Sequence, residues 1–179
     1  MAFWTDQLLA QLDFHWEHQL RPRLAGLSDA EYFWEPVPDS WSLRPGADGR
    51  LSIDWAWPAP QPAPVTTIGW RLSHVIVSCL AMRSASHFGA PAVSYDTFPL
   101  AATAREALAQ LESEVTRWRA GVLSWGDDGL LAPCGPAEGP YANEPRATLV
   151  LHIHRELIHH LAEVSLLRDL YAHTHQQEH

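Results

Sequence analysis

The stretch ATLVLHIHRELIHHLAEVSLLRDLY, residues 147–171, carries a helical stripe interrupted by one histidine. Its apolar members Leu149, Ile153, Leu157, Val164, Leu167 and Tyr171 step by four, four, seven, three and four, which is one face of an α-helix. His160 fills the seven-residue gap, three after Leu157 and four before Val164, so it points at the core. Glu156 lies one turn earlier on the flank of the same face. A carboxylate and an imidazole at i and i+4, both aimed inward, can share one metal ion. The same phase turns His154 and His159 roughly 100° or more from the stripe centre. His152, one turn before Glu156, is a reserve ligand or a supporting partner.

Three further segments carry helical periodicity. Residues 5–25 place Leu8, Leu12, Trp16 and Leu20 at four-residue spacing, with Pro22 near the end and His15 able to face inward. Residues 67–88 place Ile68, Leu72, Val75, Cys79 and Met82 at steps of four, three, four and three, and Gly89 follows as a stop. The third begins after Thr103, an N-cap with Glu106 three residues on, a capping-box pattern. Its stripe is Ala104, Leu108, Leu111, Val115, Trp118, Val122 and Trp125. Four such helices predict an all-α fold, a four-helix bundle, and 179 residues are most simply one domain spanning 1–179.

The first two helices are separated by a long segment rich in Pro and Trp, EPVPDSWSLRPGADGRLSIDWAWPAPQPAPV. It is too long to be mere linkage. With Trp34, Trp41, Trp55 and Trp57 to bury, it is expected to fold over one end of the bundle. Alternation of Leu51, Ile53 and Trp55 with polar residues predicts a short hairpin there. The histidine-rich end, AHTHQQEH, reads as a frayed terminus.

Composition narrows the function classes. Twelve basic against 21 acidic residues give a net charge of −9, a poor match for nucleic acid or an anionic membrane. No run is long enough to span a membrane, and the start MAFWTDQLLAQLD has no basic n-region, so a cytoplasmic location is expected. Cys79 and Cys134 are too few and too far apart for a disulfide framework or a CxxC site. Cys79 reads as packing; Cys134 would be reactive only if exposed. No nucleophile elbow, P-loop or dinucleotide fingerprint occurs.

The second helix supplies another inward polar residue. His74 precedes Val75 on the stripe, and its flank, Arg71, Ser78 and Ala81, has small residues that leave room. With Glu156 and His160 it completes a two-histidine, one-carboxylate set, and three protein ligands leave a position open for water or substrate. The competing reading makes His160 a hydrogen-bonded core histidine and its pairing with Glu156 an ordinary helix pair worth about 0.2–0.5 kcal/mol.

At these residues the chain resembles the DinB-like superfamily. LAGLSDAEYFWEPVPDSWSLRP is similar to the family's segment after its first helix, TTIGWRLSHVI to its I-x-W-x-x-x-H element, and HIHRELIHHLAEVSLLRDLY to its E-x-x-x-H-x-G element. The usual glycine of the last element is Ala162 here. The resemblance implies an up-down-down-up four-helix bundle holding a divalent metal, zinc or nickel, at one end. It matches His74 to the first ligand, Glu156 to the middle one (in the glutamate-containing variant seen in mycothiol-dependent maleylpyruvate isomerase) and His160 to the last. The implied activity is a mycothiol- or bacillithiol-type S-transferase or isomerase that joins a low-molecular-weight thiol to a small electrophile. Arg44, Arg71 and Arg155 are then candidate partners for a carboxylate of the thiol or substrate. A non-catalytic metal-binding stress-response protein and a metal-free structural dimer are the alternatives. The resemblance, with nine tryptophans available as interface anchors, implies a homodimer.

Overall fold

Thr103, the expected N-cap, and Thr67 each open a helix, each hydroxyl accepting a backbone N–H three residues on, from Glu106 and Trp70. The Glu106 carboxylate does not return to Thr103; it accepts from the N–H of Ala102 instead. In the computed structural model, which describes residues 3–175, the chain is 64 % helix with one small sheet. Among those residues no helix is long and apolar enough to cross a membrane.

Helix α1 runs through three segments, Trp4–Phe14, His15–Leu20 and Arg21–Leu24, the middle one π-helical. The wide turn ends two residues before Pro22, whose ring would otherwise clash with the carbonyl one turn back and whose missing N–H leaves that carbonyl without a donor. A one-turn helix α2, Asp29–Tyr32, follows, with a reciprocal capping box between Ser28 and Glu31. Strands β1, Leu43–Pro45, and β2, Leu51–Ile53, pair antiparallel with Leu43 opposite Ile53 and Arg44 opposite Ser52. Helix α3 is again three segments, Ile68–Ser73, a π-helical His74–Ala81 and Met82–Phe88, and ends at Gly89 with φ 71°. Helix α4 spans Ala104–Leu131 with a break at Gly126, φ 61°, a 3-10 turn covers Pro136–Tyr141, and α5 spans Arg146–His175. The C-terminal stretch is thus helical through His175, and residues 176–179 lie outside the described residues.

Helices α1 and α3 each pack against both α4 and α5. One apolar core joins them, with Trp118, Tyr32, Leu12, Leu72, Leu111 and Leu157 among its fully buried side chains. All the expected stripe residues of α5 are buried except half-buried Tyr171. Gly121 lets α4 meet the end of α3: a Cβ there would lie 2.3 Å from the Phe88 ring.

Two expectations need correction. The long segment between α1 and α3 does form the hairpin and ties Trp41 to the start of α3 through the Thr67 N–H and the Trp41 carbonyl, 2.9 Å. Trp55 and Trp57, however, stay 63 % and 87 % exposed. Residues 55–63 run over the surface as an irregular proline-rich stretch, and such backbone has no ladder to fold its side chains inward. The second correction concerns His154, which is 6 % exposed, not turned away. Because α5 touches three helices, a second line of residues, Val150, His154 and Leu161, is buried beside the stripe.

Candidate metal centre

The i and i+4 spacing on α5 brings the Glu156 carboxylate to 3.3 Å from Nε2 of His160. His74 opens the π-helical part of α3, facing them; its ring lies 4.7 Å from that of His160 at 86°. One ligand-capable atom from each of His74, Glu156 and His160 falls within 4.8 Å of the others. That approaches the span of two metal–ligand bonds of about 2.1 Å each. His160 is 9 % exposed, and the other two are half-buried. Two imidazoles and one carboxylate form a donor set suited to zinc and other borderline divalent cations.

Supporting contacts hold these side chains. The His74 ring stacks on Trp70 at 5.4 Å and 15°, and its Nδ1 lies 3.2 Å from the Tyr95 hydroxyl. Burial, reinforced by neighbouring His160 and Arg71 and opposed by Glu156, pushes His74 down to about 4. Its imidazole is therefore neutral at neutral pH, the form that coordinates. On the far side of His160, Glu163 Oε2 lies 3.0 Å from Nδ1 and 3.0 Å from Arg71 Nη1. At the other end, His152 Nδ1 accepts from Arg155 Nη2 at 2.6 Å and lies 3.4 Å from Glu156 Oε1, the oxygen not facing His160. His159 is exposed, as its phase requires.

A cavity of about 690 Å³ opens beside this cluster. His74, Ser78 and Met82 of α3 form one wall, Tyr95 another, and the hairpin with Leu51, Ile53 and Trp55 a third. The space beside Ser78 that its small side chain suggests is thus present.

None of the three arginines singled out from the sequence lines this cavity, although Arg71 reaches His160 and Arg155 lies 3.5 Å from Glu156 Oε1. Arg44 donates to Glu35, Asp54 and the Ser40 carbonyl, at 2.6, 3.0 and 2.8 Å, and braces the hairpin. Arg71 is half-buried against the Trp70 ring and borders a separate, largely apolar cavity of about 540 Å³. Arg155 is exposed and lines a third cavity of about 780 Å³ with His152. The arginine that does line the cavity beside His74 is Arg50, held by the Asp96 carbonyl at 2.8 Å.

Sequence reasoning missed Arg50, Tyr95 and Glu163. Only Glu163 left a usable signal, its i+3 spacing from His160. Arg50 and Tyr95 sit in connections whose path no periodicity reveals. The two cysteines are quiet. Cys79 is buried beside His74, and burial lifts its thiol to about 12. Cys134 is buried too, its Sγ 3.5 Å from the Pro145 carbonyl.

No curated protein and no solved structure matches this sequence. One family model does, described as the DinB superfamily, over residues 51–164. The match runs from β2 through the converging part of α5 and takes in His74, Glu156 and His160. With well over half of the chain aligned to that model, the protein belongs to the DinB superfamily.

Proposed function

We propose that the protein holds one divalent cation, zinc or nickel, on His74, Glu156 and His160. We further propose that it uses this centre to join a low-molecular-weight thiol to a small electrophile, as an S-transferase or isomerase. The observation that carries the reading is the convergence of three ligand-type atoms within 4.8 Å, one of them from His74 on the wall of a cavity of about 690 Å³. In this reading the whole chain is one domain, its four long helices form an up-down-down-up bundle, and the hairpin roofs the site.

A divalent cation in an open three-ligand site acts as a Lewis acid and favours the deprotonated form of a thiol or water. The residues do the rest. Neutral His74 and His160 contribute lone pairs, and Glu156 contributes one negative charge, so the centre carries less net charge than three histidines would give it. Trp70 and Tyr95 hold the His74 ring. The hairpin-side residues Leu51, Ile53 and Trp55 offer apolar surface to the body of a small electrophile.

Elemental analysis of untagged protein is the first test, because a tag would add its own histidines to those of the tail. About one zinc or nickel per chain, lost in His160→Ala, supports the centre. Thiol consumption with a panel of small electrophiles then tests catalysis; binding without turnover favours a metal-holding stress protein instead. A homodimer is also proposed. The exposed residues Leu151, Ile158, Leu166 and Leu170 of α5 present apolar area for it. Light scattering that gives a monomer at micromolar concentration would count against it.

A further inference from the structure

We propose that Arg71 and Glu163 decide which nitrogen of His160 meets the ion, and that Arg71 bars a second ion from an overlapping ligand group. The inference rests on the proposed centre at His74, Glu156 and His160. His160 belongs to two groups that could each hold a cation. One is His74, Glu156 and His160; the other is His159, His160 and Glu163. They use opposite edges of one imidazole: Nε2 faces Glu156 at 3.3 Å, and Nδ1 faces Glu163 at 3.0 Å.

Arg71 breaks the symmetry. Its Nη1 lies 3.1 Å from Nδ1 of His160 and 3.0 Å from Glu163 Oε2, so three polar atoms form a tight triangle. A guanidinium only donates, and an ionised carboxylate only accepts. If Nδ1 carries the proton, Glu163 accepts from both neighbours, and Nε2 is left with a free lone pair directed at Glu156 and His74. This is the carboxylate–histidine arrangement that orients metal-binding imidazoles. If Nδ1 is bare, it accepts from Arg71, and the Nε2–H donates to Glu156. Moving between the two states shifts one proton within a neutral ring and releases none. In both states the guanidinium charge stands where a second cation would have to sit, against the Nδ1 edge and Glu163. The arginine is anchored there by its stack against Trp70, 5.5 Å to the ring centroid. Its role in this scheme is positioning and exclusion, not contact with substrate.

The test is zinc titration of the metal-stripped full-length protein, read as stoichiometry and Kd by calorimetry, with elemental analysis after desalting. Wild type sets the reference number of ions, one of which is lost in His74→Ala. Arg71→Met keeps the aliphatic stem against Trp70 and removes the charge; it is expected to take up one additional ion per chain, with His160 bridging the two ions as an imidazolate and its Nδ1 proton released to the buffer. That extra ion should vanish in Arg71→Met/His159→Ala. Arg71→Lys restores a cation and should return the wild-type number. Glu163→Ala should keep the wild-type number and weaken the His74-dependent ion roughly 10–100-fold. His159→Ala alone, at an exposed position, should change nothing. An Arg71→Met protein that binds no extra ion, or whose extra ion survives loss of His159, overturns the exclusion. An unchanged Kd in Glu163→Ala overturns the orienting role. If His74→Ala leaves the wild-type number intact, the centre itself is refuted, and this inference falls with it.

Discussion

His154 should make the fold acid-sensitive by an amount that can be worked out. It is 6 % exposed, its Nε2 has no hydrogen-bond partner among the described residues, and it meets the Trp118 ring edge-on at 6.5 Å. Burial, opposed only weakly by Asp13, pulls it down from 6.5 to about 4. The unfolded chain therefore binds more protons than the folded one between those values. Stability from the neutral ring is complete above the unfolded value and is lost as pH falls toward the folded value. For a folded value near 4 and an unfolded value near 6.5, protonation linkage removes about 2 kcal/mol between about pH 7.5 and about pH 5. The assay is urea unfolding of wild type and His154→Leu at both pH values, with a chelator present so that the metal centre contributes nothing. His74 is shifted the same way and titrates in both proteins, so it cancels in the comparison. Wild type should lose about 2 kcal/mol more than the leucine variant over this interval. Equal losses in the two proteins would refute the claim that His154 is held neutral in the core.

Three further outcomes follow from the same geometry. His160→Ala should abolish zinc binding with the helical circular dichroism retained, whereas His159→Ala should leave binding intact; the reverse pattern would show that the phase of α5 is misread. Tyr95→Phe removes the hydroxyl 3.2 Å from His74 Nδ1 and should weaken zinc about tenfold in a chelator competition, with unfolding midpoints unchanged. Gly121→Ala places a Cβ 2.3 Å from Phe88, which is wedged between Trp118 and Trp125 at 5.6 and 4.6 Å. The overpacking outweighs alanine's better helix propensity, and a net loss of about 1–2 kcal/mol is expected by chemical denaturation.

Residues whose placement depends on near neighbours along the chain are legible in the amino-acid sequence. The stripe of α5 and the cap at Thr103 are of this kind. So is the shared face of Glu156 and His160, since four residues in a helix return to nearly the same azimuth. His154 escapes such a reading for the complementary reason. Which second face of α5 is buried depends on α1 and α4, and periodicity about one stripe cannot report a helix packed on three sides. The π-helical turns at His15–Leu20 and His74–Ala81 are likewise invisible, because each is a local rewinding that a three-and-four pattern absorbs.

The sequence by itself determined a mostly helical chain with an inward carboxylate–imidazole pair on its last long helix, and a second histidine on another. Hydrophobic spacing and capping chemistry suffice for that much. Only the tertiary structure decided that His74 faces that pair and that Arg50, not Arg44, Arg71 or Arg155, shares the cavity beside it. It alone decided that Arg71 and Glu163 close the other edge of His160. Those placements depend on how α3 docks against α5 and on where two connections cross the site. Such contacts join residues from distant parts of the chain, and no local periodicity encodes them.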